Sequence, residues 1–235
     1  MLNKNILRHL ITIAAIVLFN CCKKPNVVEE SKPKPQLMFR KVVILGNSIT
    51  LAPVNPFIGW NESRGMAASV LDSDYVHRLT ARLKKIEPTA EVTVKFFNDF
   101  ESDYVNYDFE KLKALKESKP DLIIVRVGEN INRALLDGAA FQKSYQNLVT
   151  YLTKDDKQLV VLSVGPLWLV PEIDNAMQLY TPYASLSTIS FDASNLALGL
   201  FENPGVAQHP GDKGMRIISD IIWNKMVEIN PYKKP

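Results

Sequence analysis

Residues 41–50 read K-V-V-I-L-G-N-S-I-T, and the character of this stretch decides the fold. Val42, Val43, Ile44 and Leu45 follow one another without a polar residue between them. A strand covered on both faces has this continuous apolar pattern, whereas a half-exposed strand alternates. The run stops at Gly46 and gives way to the polar side chains of Asn47, Ser48 and Thr50. In open α/β sheets, ligands and chemistry lie just beyond the carboxyl ends of the strands. The stretch therefore predicts a buried parallel strand that delivers Ser48 to the working edge of a sheet.

Outward from it, strand-like runs recur at residues 91–97 (E-V-T-V-K-F-F), 121–127 (D-L-I-I-V-R-V) and 158–164 (Q-L-V-V-L-S-V), with a weak fifth at 186–191. Helical spacing lies between them, at 75–83 behind the capping group Asp72-Ser73-Asp74, at 109–116 before Pro120, at 139–152 and at 172–184. The chain closes with a helical pattern over 212–229, whose Met215, Ile218, Ile222 and Met226 would pack on the sheet. Such alternation predicts a three-layer α/β/α sandwich with a mainly parallel sheet of about five strands. Residues 51–71 form a long loop broken by Pro53, Pro56, Gly59 and Gly65. No internal repeat is visible after residue 37.

With 235 residues, 46% of them hydrophobic, the chain builds one well-buried domain. Residues 1–22 read as a secretory signal: Lys4 and Arg8 precede an apolar run at 10–19. That run falls short of the ~20 apolar residues a membrane-spanning helix needs. It ends in Asn20-Cys21-Cys22, the only cysteines present. This resembles a bacterial lipoprotein signal, which implies lipidation of Cys21 or Cys22 and an exported chain anchored to a membrane surface of the cell envelope. Residues 23–38, rich in Pro, Lys and Glu, read as an extended tether, which leaves 39–235 as the folded domain. The formal charge is +3, and about +1 once Lys4 and Arg8 are removed with the leader, so charge makes no case for nucleic acid. Two adjacent cysteines and three scattered histidines lack the spacing of a metal site, and nothing calls for a cofactor.

A serine hydroxyl is a weak nucleophile and needs a neighbouring base, usually histidine. His9 lies in the leader and His77 inside a helical pattern, which leaves His209, in H-P-G-D-K-G-M just before the last helix. Four blocks then stand in order: G-N-S-I-T, G-M-A-A-S (65–69), G-E-N (128–130) and the His209 block. From residue 39 onward the chain resembles the SGNH/GDSL hydrolases, a family named for a serine, a glycine, an asparagine and a histidine in four separate blocks. The resemblance implies a flavodoxin-like sheet, Ser48 as nucleophile and His209 as base. It also implies an oxyanion hole made of the Ser48 and Gly65 backbone N–H groups and the Asn130 side-chain amide. The family commonly has aspartate before the serine and aspartate three residues before the histidine; here Asn47 and Val206 stand in those places. Either His209 works in a dyad held by a backbone carbonyl, or a carboxylate reaches it, Glu202 being the nearest upstream and Glu129 lying beside the asparagine.

Trp60 in the long loop and Trp168 after the fourth strand are candidates for stacking on a sugar ring. The expectation is a serine esterase or deacylase for a small acyl group, such as acetyl on a carbohydrate or envelope polymer. The alternatives are an SGNH-fold module that binds an envelope glycan without turnover, and a nucleotide-binding domain with G-N-S-I-T as a phosphate loop. Pro53 and Pro56 count against the last, because a phosphate loop feeds a helix N-terminus.

Overall fold

The computed structural model describes residues 36–232. The expected leader and lipidated cysteine, and the tether up to residue 35, lie outside the described residues. Gln36 already belongs to the domain: its amide reaches Asp121 Oδ2 at 2.9 Å, and Met38 and Phe39 are buried.

Five parallel strands make one sheet: β1 Lys41–Gly46, β2 Glu91–Phe96, β3 Leu122–Arg126, β4 Val160–Val164 and β5 Tyr183–Ala184. Their order is β2-β1-β3-β4-β5, so β1 lies inside the sheet as its apolar run demands. The register pairs Gly46 with both Phe96 and Arg126, and Arg126 with Val164. Four carboxyl ends therefore finish at one level, and the loops that leave them share one edge of the sheet.

Both faces of β1 are buried, which explains the missing alternation. Val42 and Ile44 pack with α1 (Tyr75–Ile86) and α7 (Asp212–Ile229), through Leu79, Leu83, Met215, Ile218 and Ile222. Val43 and Leu45 pack on the other face, where α4 (Gly138–Thr153) and α5 (Pro171–Tyr180) supply Phe141, Tyr145, Leu148, Ile173 and Met177. Asp74 caps α1 by accepting from the His77 N–H at 2.8 Å, and Asp137 caps α4 by accepting from Ala139 and Ala140 at 3.0 Å.

Three local expectations are corrected. The fifth strand is Tyr183–Ala184, not 186–191; the segment over 186–191 is loop with a 3₁₀ turn at Ile189–Phe191. The helix expected over 172–184 stops at Tyr180, because that strand follows at once. The helix expected over 109–116 divides into a 3₁₀ turn, Phe109–Leu112, and the short α3, Lys113–Glu117. Two further short helices, α2 (Asn98–Ser102) and α6 (Pro204–Ala207), are too brief to carry a periodic signal, and both border the site.

Candidate active site

Immediately after β1 the chain turns: Thr50 and Leu51 both donate their N–H groups to the Asn47 carbonyl at 2.9 Å. A Cβ on Gly46 would lie 2.0 Å from Thr50 Oγ1, so the turn closes only over glycine. Ser48 sits half-buried in this turn, and its Oγ lies 2.8 Å from Nε2 of His209. No helix starts here, which removes the structural basis of a phosphate loop. The following loop runs on through a 3₁₀ turn, Pro56–Ile58, and comes back alongside Ser48, where the Met66 N–H donates to the Ser48 carbonyl at 2.9 Å. Ala67, next in sequence, holds a left-handed φ of 70°, a conformation that costs a non-glycine residue roughly 1–3 kcal/mol.

The far side of the imidazole is occupied by a backbone group. His209 Nδ1 lies 2.7 Å from the Gly205 carbonyl. A carbonyl only accepts, so Nδ1 carries the proton and Nε2 presents its lone pair to the Ser48 hydroxyl. The short helix α6 makes this possible: the Asn203 side chain caps it through Gly205 and Val206, and the His209 N–H returns to the Val206 carbonyl at 3.0 Å. Glu202, the carboxylate considered as the alternative to a backbone carbonyl, is exposed, and the Nδ1–H is donated to the Gly205 carbonyl. Val206 is buried among Ala52, Trp60, Met66 and Ala197, an apolar cluster with no place for a carboxylate. Burial pushes the His209 imidazole below its usual range, Arg126 adding to that; the Gly205 carbonyl and Glu129 pull the other way.

Beneath Ser48 lies a buried polar network. Asn47 is fully buried; its Oδ1 accepts from Arg126 Nη1 at 2.7 Å, and its Nδ2 donates to Glu129 Oε2 at 2.6 Å and Glu101 Oε1 at 3.3 Å. Arg126, buried at the end of β3, is ion-paired to Glu129, whose Oε1 also accepts from the Leu167 N–H at 2.8 Å. Glu101, from α2, accepts from the N–H groups of Gly128 and Asn130 and from Asn130 Nδ2 at 3.0 Å. Gly128 holds a φ of 128°, open to glycine alone, and this presents its N–H to Glu101. Burial and the neighbouring Glu129 push the Glu101 carboxyl upward, against the four N–H donors that favour its ionised form. One signal for this network stood in the sequence: Arg126 is a charged residue inside an otherwise apolar strand.

Asn47 in place of aspartate follows from this geometry. Two carboxylates face that side chain, and only an amide can donate to both. Asn130 is exposed, with one amide N–H engaged by Glu101 and the other without a protein acceptor among the described residues. The Ser48 N–H likewise meets no protein acceptor there. Gly65 differs from expectation: its N–H donates to Asp74 Oδ2 at 3.3 Å in a buried setting, because the aspartate that caps α1 also reaches back to this loop. Trp60 also differs. It is 2% exposed, packed 6.1 Å from the Phe201 ring and covered by the Arg64 guanidinium, so it is loop core and cannot stack on a ligand. Trp168 is half-buried on the loop after β4, one residue beyond the Leu167 N–H that binds Glu129.

Compared with known proteins, the sequence matches no family model and no curated protein. Solved structures do match the fold. A two-domain esterase (CEX) active on acetylated mannans is 16% identical, with a TM-score of 0.53 over 83% of this chain and 51% of that one. The psychrotrophic esterase EstA from Pseudoalteromonas sp. is 13% identical, with a TM-score of 0.53 over 80% and 97% of the two chains. A carbohydrate esterase family 2 enzyme with a carbohydrate-binding domain, from Corynascus thermopiles, is 14% identical, with a TM-score of 0.55 over 84% and 68%. The chain thus spans about half the length of the mannan esterase. The architecture is a three-layer α/β/α sandwich with a parallel five-stranded sheet, the fold of these esterases, as the alternation of strands and helices implied.

Proposed function

We propose that this protein is a serine ester hydrolase in which Ser48 and His209 form a catalytic dyad. The observation that carries the reading is the line Ser48 Oγ, His209 Nε2, His209 Nδ1, Gly205 O, with separations of 2.8 Å and 2.7 Å. Nε2 takes the Ser48 proton as Oγ attacks the ester carbonyl, and then gives it to the leaving alcohol. Water, deprotonated by the same nitrogen, releases the acid from acyl-Ser48. The Ser48 N–H and the open N–H of Asn130 stabilise the oxyanion, a contribution of ~2.7–4 kcal/mol per donor. A carbonyl behind the ring fixes the tautomer as a carboxylate would, but offers a dipole in place of a charge to the imidazolium. Where a triad aspartate becomes asparagine, the loss of ~10⁴ in kcat stems from the wrong tautomer. This dyad avoids that fault.

The substrate class we infer is a small acyl ester, acetyl on a carbohydrate, supported by the names of the mannan esterase and the family 2 enzyme of like fold. Trp168, half-buried on the loop after β4, is the aromatic residue we assign to such a sugar. Export and lipid anchoring through Cys21 or Cys22 belong to the same proposal; mass spectrometry of the membrane-extracted protein checks them. Ser48→Ala should abolish hydrolysis of p-nitrophenyl acetate and labelling by a fluorophosphonate while leaving the unfolding midpoint unchanged. Full activity in that variant overturns the assignment. The missing carboxylate at Val206 favours one second reading, a glycan-binding module without turnover. Glycan binding by a chain whose Ser48 resists the fluorophosphonate would establish it.

A further inference from the structure

Glu101 stands out because a buried carboxylate holds an exposed side chain. Its side chain lies at the start of the loop that leaves β2, at 2% exposure. Taking a carboxylate out of water is costly unless donors surround it. Four do, and three of them belong to the turn Gly128-Glu129-Asn130: two backbone N–H groups on Oε1 and Asn130 Nδ2 on Oε2. The buried cation nearby, Arg126, is directed to Glu129 and Asn47 instead. Core packing would be served as well by an apolar residue, and an exposed asparagine needs no buried carboxylate to remain folded.

We propose that Glu101 is a positioning residue that locks the Asn130 amide in its donating orientation; the inference rests on the dyad reading above. The reasoning is one of hydrogen-bond polarity. Every group that faces Glu101 is an N–H donor, so both carboxyl oxygens accept and Asn130 turns Nδ2, not Oδ1, toward it. One N–H is then fixed to Oε2 at 3.0 Å and the other is left for an oxyanion. An unrestrained asparagine would present oxygen or nitrogen to solvent with little preference, and an oxygen turned toward an oxyanion repels it. The Gly128 and Asn130 backbone N–H groups donate to the other oxygen, Oε1, and hold the turn itself in register. Glu101 thereby spans the loops after β2 and β3, and reaches Asn47, the residue beside the nucleophile.

Glu101→Gln is the direct test, because glutamine keeps the shape but must present either oxygen or nitrogen at each position. With Oε1 toward the two backbone donors, its NH2 meets Asn130 Nδ2, and the asparagine flips. We expect kcat on p-nitrophenyl acetate to fall at least ~10-fold, toward the ~10²–10³ of a lost oxyanion donor, with KM changed less than twofold. The double variant with Asn130→Ala should be no slower than Asn130→Ala alone, since Glu101 acts through that side chain. A kcat within twofold of wild type, or losses that multiply in the double variant, overturns the proposal. The ¹⁵N–¹H spectrum of the Asn130 side-chain amide reads the same orientation without turnover. A shift in that NH2 pair on Glu101→Gln supports the positioning role, and an unchanged pair refutes it. An inactive wild-type chain would overturn the dyad reading while leaving this spectral test intact.

Discussion

Replacing Asn47 by aspartate, the residue common at this place in the family that the sequence resembles, should make this protein unfold more easily. Asn47 Nδ2 donates to Glu129 Oε2 at 2.6 Å and to Glu101 Oε1 at 3.3 Å, and aspartate donates to neither. Glu129 Oε2 is then left unsatisfied, at a cost of ~1–3 kcal/mol, whereas Glu101 Oε1 keeps the Gly128 and Asn130 N–H groups. The bond from Arg126 Nη1, now 2.7 Å long to a neutral amide oxygen, becomes charge-assisted and returns about 1 kcal/mol. The net loss is then about 1 kcal/mol, before repulsion among three neighbouring carboxylates, of which only two reach the Arg126 guanidinium. A proton taken up between two of them would relieve both penalties. The cluster's folded-state pKa is therefore raised above the unfolded value of about 4, so the relief is present at low pH and lost as pH rises. Urea unfolding at pH 5 and pH 8, compared at constant m-value, measures this. Asn47→Asp should lose most stability at pH 8 and recover part of it at pH 5. Stability within 0.5 kcal/mol of wild type at pH 8, or a loss independent of pH, would refute the account (that threshold being about the precision of such extrapolations).

The remaining expectations are simpler. His209 acts as a base only when neutral, and burial holds its pKa below the usual value, so kcat/KM should rise with pH through a midpoint below about 6.5; a midpoint above that contradicts the buried-imidazole picture. Glu202→Gln should leave kcat within roughly twofold of wild type, because Nδ1 is held by Gly205, and a hundredfold loss would mean the carboxylate reaches the ring after all. Trp60→Ala should lower stability by ~3–5 kcal/mol, as loss of a buried aromatic does, and unchanged stability with a raised KM would return Trp60 to the rim.

Much of the fold was legible because its signals are local. Covered strands are apolar throughout, so the first, third and fourth could be placed from sequence, and α7 was read over its full length, Asp212–Ile229. The edge strand Tyr183–Ala184 was not legible, since two residues carry no period. The short helices α2 and α6 failed for the same reason, and with them went the supports of the site.

The pairing of Ser48 with His209 was suggested by scarcity: a chain with three histidines offers few bases, and four blocks stood in a telling order. What stands behind His209 could not be found that way. A backbone carbonyl has no residue type, and only the turn of α6 aims the one at Gly205. Nor could Glu101 be recognised, because its donors come from segments far apart in the chain and meet only where β1, β2 and β3 end together. Trp60 became core rather than rim when Phe201 folded against it.

The sequence alone determined a covered parallel sheet with a serine at its edge, because burial on both faces is written in consecutive residues. Tertiary structure decided which groups meet that serine, because a hydrogen bond depends on distance and direction between atoms that the chain order keeps apart.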